Sequence, residues 1–250
     1  MWGIIPAAGA GSRIQPLAFS KELLPVGCRR SDGFERPRAV SEYLIDRFVN
    51  CGADKICFVI SPGKCDILEY YGSSALNATF AYTVQDRPAG LCDAIFRAAP
   101  LIPTNENVVI GLPDTIWFPD DGLCYLPQDN LSFLLFPVGR PELFDAVVTD
   151  DQDRVLEIQV KKQGASTSWV WGAFRMPGSV FHDLHRLWQE DGRHDEYMGT
   201  LVNEWIARGG LAYGIHAGTN YVDVGTLGGY REALNALASP ENEAREVWRS

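Results

Sequence analysis

Gly3-Ile4-Ile5-Pro6-Ala7-Ala8-Gly9-Ala10-Gly11-Ser12-Arg13, followed by Ser20-Lys21-Glu22-Leu23-Leu24-Pro25-Val26, decides the reading of this chain. The short apolar run predicts a buried strand. It empties into a loop of small residues that ends in Arg13, and Lys21 follows eight residues later. Glycine lets a backbone approach a phosphate closely, and successive N–H groups form an anion-binding nest. Arg13 and Lys21 are then placed to neutralise what the loop cradles. The stretch points to a nucleotide. It is not a Walker A loop, which needs Gly-x4-Gly-Lys-Ser/Thr, nor a Gly-x-Gly-x-x-Gly fingerprint, because position 14 is Ile. Gly9 to Arg13 alone also reads as an ordinary strand-to-helix turn.

The longer run from Pro6 to Val26 resembles the signature of the sugar-1-phosphate nucleotidylyltransferases, the NDP-sugar pyrophosphorylases. Their pattern is roughly Ala-Gly-Gly-x-Gly-Thr-Arg-Leu-x-Pro-x-Thr-x-x-x-(Pro/Ser)-Lys-x-Leu-Leu-Pro-Val. Gly9, Gly11, Arg13, Pro16, Lys21 and Leu23-Leu24-Pro25-Val26 match, and Ser12 keeps the hydroxyl of the usual Thr. Ser20-Lys21 is similar to the thymidylyl branch. The resemblance implies attack of a sugar-1-phosphate oxygen on the α-phosphorus of a nucleoside triphosphate, with Mg2+ as cofactor. It also implies that Ala8, Gly9, Gly11, Ser12 and Arg13 form the nucleotide loop, with Arg13 and Lys21 on the triphosphate.

The 250 residues are 46% apolar, enough for a sizeable core. A net charge of −10 argues against non-specific nucleic-acid binding, which needs a basic field. The six Cys form no Cys-x-x-Cys pair and read as reduced thiols. Met1-Trp2-Gly3 has no basic leader, and no run approaches membrane-spanning length. A cytoplasmic protein, free of membrane and able to form a homo-oligomer, is expected.

Short apolar runs at Gly3–Pro6, Ile56–Ile60 and Val108–Gly111 predict buried parallel strands. Helical spacing falls on Val40–Cys51, stopped by Gly52, and on Gly90–Ala99, closed by Pro100. This order predicts a doubly wound, mostly parallel, Rossmann-like α/β sheet, with ligands at the carboxyl ends of its strands. Strands are expected at Ser132–Val138, Ala146–Thr149, Val155–Val160, Trp169–Arg175 and Leu211–His216. Helices are expected near Ser179–Glu190, Glu196–Arg208 and Leu227–Ala238, with Ser239–Ser250 a polar tail. A single domain is expected over 1–250, with 1–125 mainly nucleotide-binding and 126–238 a strand-rich, mainly sugar-phosphate-binding part. The chain ends just past the Asp223 motif, so no C-terminal hexapeptide-repeat helix is expected. Cys28–Arg38, with Arg29, Arg30, Arg36 and Arg38, reads as a solvated surface loop.

The resemblance extends to four later motifs. Asp114 follows the Val108 strand as Leu112-Pro113-Asp114, similar to the uridylyl branch, and Asp223 stands in Tyr221-Val222-Asp223-Val224-Gly225-Thr226. It implies that Asp114 and Asp223 are the Mg2+ ligands, whereas a turn or cap role is the plainer reading of each. Gln85, Pro88 and Gly90 match a Gln-x-x-Pro-x-Gly-Leu motif at the base. A Gln amide suits the imide edge of thymine or uracil, which favours dTTP or UTP. Asp93 stands where a neutral residue is expected. The family's Glu-Lys-Pro falls on Val160-Lys161-Lys162, so Lys161, with Lys162 as fallback, is implied to hold the sugar phosphate, while Val160 cannot accept a sugar hydroxyl. Gly172 matches a Gly where backbone meets sugar. His182, His185 and His194 lack nearby Cys and do not read as a zinc site. The seven Trp read as core or pocket walls. Two rivals stand beside this reading: transfer to a non-sugar phosphate, and a catalytically silent NDP-sugar binder.

Overall fold

The computed structural model describes residues 1–31 and 33–238; the tail expected at 239–250 lies outside them. The first half builds β1 (Trp2–Pro6), β2 (Pro25–Ser31), β3 (Phe34–Ala39), α1 (Val40–Asn50), β4 (Lys55–Ile60), α2 (Cys65–Tyr71), β5 (Ser74–Ala75), β6 (Ala78–Val84) and α3 (Gly90–Phe96). Next come β7 (Asn107–Gly111), β8 (Thr115–Phe118), β9 (Leu131–Pro137), β10 (Asp145–Thr149), β11 (Val155–Val160) and β12 (Trp169–Pro177). The last elements are α4 (Gly178–Trp188), α5 (Met198–Ala207), β13 (Ala212–Ile215), β14 (Asn220–Asp223) and α6 (Leu227–Leu237).

One sheet dominates, in the order β11-β10-β12-β7-β1-β4-β6-β5, with β9 on β12 and β13 on β9. Its centre, β7-β1-β4-β6, is parallel, as the apolar runs predict. β1 sits innermost, with Ile4 and Ile5 fully buried, one toward each side of the sheet. The β1, β4 and β7 carboxyl ends therefore open at one edge, where the loop from Ala7 begins. The strands of the second half do not form a separate layer. They continue the same sheet, with β12 antiparallel to β7 and β10 and β11 beyond it. α1 buries Val40, Leu44, Ile45 and Phe48, while α4 buries Phe181, Leu184 and Leu187 in the other core.

Several elements differ from expectation. The arginine-rich 28–38 segment is a hairpin, β2 on β3, rather than an irregular loop. Its exposed charged residues carry no apolar alternation to reveal the strands, and Gly33 at φ +79 makes the turn. α3 stops at Phe96, with a 3-10 turn at Ala99–Leu101. α2, β6, β8 and β14 are additions. Among the described residues, no helix is long and apolar enough to cross a membrane.

None of the six cysteines is in a disulfide. Burial pushes the Cys51 thiol up to about 11 and also raises Cys57. Cys65 and Cys124 are exposed, and Cys57 and Cys92 are buried. Iodoacetamide at pH 8 is expected to modify Cys65 and Cys124 in the native protein, and Cys57 and Cys92 only after denaturation, as read by peptide mass spectrometry.

Candidate active site

The loop after β1 starts with the Ala7 amide donating to the Val59 carbonyl at 2.8 Å. Ala8 is buried, whereas Gly9, Ser12 and Arg13 face solvent. Gly11 turns with φ +65, and a Cβ there would lie 2.8 Å from Lys21 Cδ. Glycine is thus needed at position 11 both for its backbone angle and to let the Lys21 stem pass. Lys21 opens a 3-10 turn over Lys21–Leu23. Before it, the Ser20 amide and hydroxyl donate to Asp66 at 2.6 and 2.7 Å.

Two distant acids meet these cations. β14 pairs antiparallel with β8, Asp223 opposite Thr115, and the Val224 amide donates to the Asp114 carbonyl at 2.8 Å. The pairing sets Asp114 and Asp223 side by side. Lys21 Nζ donates to Asp114 Oδ2 at 2.5 Å, and Arg13 Nη1 to Asp223 Oδ2 at 2.8 Å. A Cβ on Gly225 would lie 2.8 Å from Asp114 Oδ2, 2.9 Å from Asp223 Oδ1 and 3.2 Å from Arg13 Nη2. Asp223 does not cap α6; the Thr226 hydroxyl does, accepting from the Gly229 amide at 3.0 Å. Burial pulls the Lys21 amine down, but Asp114 and Glu22 more than offset it, so it lies above 10.5 and stays charged.

Glu22 and Lys64 escaped the sequence reading. Lys64 Nζ donates to both Glu22 oxygens, at 2.7 and 2.8 Å, and to the Ala7 carbonyl at 2.7 Å. Glu22 is fully buried. Burial pushes its carboxyl up, and Lys64 and Lys21 pull it back. This pair ties the loop after β1 to the Lys21 turn and to the start of α2. The only signal was a carboxylate set between Lys21 and the apolar Leu23-Leu24.

At the proposed base position, Gln85 is buried, and its amide nitrogen donates to the Gly90 carbonyl at 3.1 Å and to Asp93 Oδ2 at 2.8 Å. Asp93, unassigned in the sequence, thus fixes which way the amide faces, and it also pairs with Arg97 at 2.9 Å. Gly90 has φ +87, and a Cβ on it would lie 2.6 Å from Glu196 Cα, so its glycine is demanded by the 190s loop packed against it. Pro88 is exposed.

On the sugar side the expected residues scatter. Lys161, at φ 43, places Nζ 4.6 Å over the Tyr197 ring. Lys162 lies 3.8 Å from Glu157, half exposed on the outside of β11. The open side of Gly172 is taken by Phe136 and Tyr221, each within 2.6 Å of a Cβ built there. His182 donates to the Ile102 carbonyl, and His185 stacks on Phe96. Among the described residues, no group of three or more His, Cys, Asp or Glu could hold a metal. The Asp114–Asp223 pair remains: two hard oxygen donors aimed at one point, a set that suits Mg2+, which takes one or two carboxylates and completes its shell with water and phosphate.

An open α/β sheet with small-residue loop, lysine turn and paired acids at its carboxyl edge defines a nucleotide-handling transferase. The profile described as Nucleotidyl transferase matches residues 2–239, and the chain belongs to that family. It is 26% identical over 256 residues to a glucose-1-phosphate thymidylyltransferase of Mycolicibacterium smegmatis, covering 96% of this chain and 83% of that one. It is 24% identical over 253 residues to the UTP–glucose-1-phosphate uridylyltransferase AglF of Haloferax volcanii, covering 98% and 100%. The fold is that of a UDP-glucose pyrophosphorylase from Acinetobacter baumannii, with TM-score 0.77 at 17% identity, covering 97% of this chain and 95% of that one.

Lys64→Met leaves the buried Glu22 without its cation and is expected to lower the unfolding free energy by about 3–5 kcal/mol. Glu22→Gln combined with Lys64→Met is expected to restore most of it, as urea titration reads. Glu22 lies above its ordinary 4.5. A raised carboxyl favours folding below its unfolded pKa, and that stability is lost as pH rises through the folded value. The Lys64→Met deficit should therefore shrink as pH falls toward 4.5.

Proposed function

We propose that this protein transfers a nucleotidyl group from dTTP or UTP to a sugar-1-phosphate, giving an NDP-sugar and pyrophosphate. The observation that carries this reading is the convergence of Arg13, Lys21, Asp114 and Asp223 around Gly225. The names of the two enzyme relatives support it.

The reaction needs no covalent nucleophile. An oxygen of the sugar phosphate attacks the α-phosphorus, and the bond to the β-phosphate oxygen breaks. Three phosphates and a fourth must share one site, so the protein's work is positioning and charge neutralisation. The backbone from Ala8 to Ser12 would cradle the triphosphate. Arg13 and Lys21 would turn from their carboxylates onto its oxygens. Asp114 and Asp223 would hold Mg2+, which would supply positive charge to the phosphates. Lys161 would meet the sugar phosphate, so residues 1–125 would serve mainly the nucleotide and 126–238 mainly the acceptor.

Gln85 supports thymine or uracil over cytosine. Both of its N–H groups are donated internally. What it offers a base is its carbonyl oxygen, which suits the N3–H of thymine or uracil. Cytosine carries an acceptor at N3 and would be repelled.

The test is pyrophosphate release with Mg2+, running dTTP, UTP, CTP, GTP and ATP against a panel of hexose-1-phosphates. Release is expected with dTTP or UTP plus one sugar phosphate, and poorly with CTP. Asp114→Ala is expected to lower turnover about 100- to 1000-fold, the size of other losses of charge stabilisation, with the native fold retained by circular dichroism. Wild-type turnover in that variant removes Asp114 from the site.

A further inference from the structure

Val160 leaves the expected sugar position without an acceptor, yet a carboxylate stands beside it. Asp145 opens β10 directly opposite Val160 of β11. Opposed residues of an antiparallel pair project from the same face of the sheet. On the other side of β10, Ala146 faces Val170, which brings Trp171 alongside Asp145. The Trp171 indole N–H donates to Asp145 Oδ2 at 3.4 Å. That is the long end of a hydrogen bond, and no other to this side chain is formed among the described residues.

The surroundings are aromatic and short of donors. Lys161, next to Val160, lies close enough to act on the Asp145 charge, but its amine sits over the Tyr197 ring rather than in an ion pair. Burial pushes the Asp145 carboxyl up, and Trp171 and Lys161 draw it back only in part. A half-buried carboxylate with one long hydrogen bond has lost hydration that nothing in the protein replaces. Tyr221 joins this corner to the acids at Gly225: it lies two residues before Asp223 on β14, and its ring meets that of Phe144, the neighbour of Asp145, edge-on at 5.6 Å. Its ring also closes the space over Gly172. Asp145 therefore borders the same centre, displaced toward β11, where an acceptor substrate would lie.

We propose that Asp145 is the sugar-binding carboxylate of this enzyme: it accepts hydroxyl hydrogen bonds from a hexose-1-phosphate, whose C–H surface lies against Tyr197. This rests on the function proposed above. It assigns hydroxyl recognition to β10, one strand away from Val160. A sugar ring answers the local need, because hydroxyls donate to the carboxylate while carbon faces cover rings.

The experiment is steady-state pyrophosphate release by wild type, Asp145→Asn and Asp145→Ala, with the best hexose-1-phosphate of the panel and its deoxy analogues. Asp145→Asn keeps an acceptor for Trp171, and a wild-type thermal midpoint certifies its fold. KM for the sugar phosphate is expected to rise about 10- to 100-fold, the worth of hydrogen bonds to a charged acceptor, while KM for the triphosphate stays within about twofold. One deoxy analogue should lose affinity in wild type and lose no more in Asp145→Ala. Equal sugar-phosphate KM in all three proteins overturns the proposal, and so does a matched rise in both KM values. If wild type releases no pyrophosphate with any pair, the transferase reading itself fails. Calorimetric titration with UDP-glucose and dTDP-glucose then decides Asp145 separately. Binding weakened at least tenfold by Asp145→Asn supports it; equal binding, or none by wild type, overturns it.

Discussion

Two carboxylates that approach one point within van der Waals contact repel each other unless cations answer them. Asp114 and Asp223 do so at Gly225, and the rest of the site follows from the need to balance them. Lys21 answers one and Arg13 the other, from opposite ends of the segment after β1. Position 225 must be glycine because any side chain would occupy the point on which the oxygens converge. The pairing of β14 with β8 supplies the approach, and the two cations make it tolerable. The same arrangement is what a polyphosphate site requires: positive charge already gathered, with carboxylate oxygens beside it.

That balance is held from below by a second, drier one. Glu22 follows Lys21 in sequence but points the other way, into the protein, where Lys64 meets it. Lys64 also binds the Ala7 carbonyl, so one ammonium fixes both the start of the small-residue loop and the turn that carries Lys21. The Ser41 hydroxyl donates to the Glu22 carbonyl and meets the Tyr71 phenol, which extends the network to α1 and α2. A buried ion pair is weak as a source of stability. Its use here is geometric: it specifies where Lys21 emerges.

How much of this was legible in the sequence depends on what signalled it. The parallel centre was, because β1, β4 and β7 are buried on both faces and read as continuous apolar runs. The hairpin of β2 and β3 was not, because between the buried Val26 and Ala39 it is built mostly of charged residues that show no apolar alternation. β8 and β14 were hidden for another reason: both are 4 residues long and lie inside motifs that drew attention to their acids instead. The local part of the site, Gly9 to Lys21, could be read from spacing and resemblance. The meeting of Arg13 with Asp223 spans 210 residues, and spacing alone carries no such information. Gly90 and Gly172 teach a narrower lesson. The resemblance puts both beside the ligands, and what requires glycine in the protein itself is Glu196 at one, and Phe136 and Tyr221 at the other.

The two halves of the site are unequal for a physical reason. Phosphate chemistry is the same for every nucleoside triphosphate, so its cations and acids are tied to one another and to strand ends, and few substitutions preserve the balance. Recognition of an acceptor depends on hydroxyl positions that differ between substrates, and those contacts can move. In this sheet a polar group can be exchanged between β10 and β11 without disturbing the ladder, because opposed residues share a face. Asp145 and Val160 are such a pair. Register, rather than sequence position, is what such an exchange preserves, and a reading that follows one strand alone sees only the loss of an acceptor on β11.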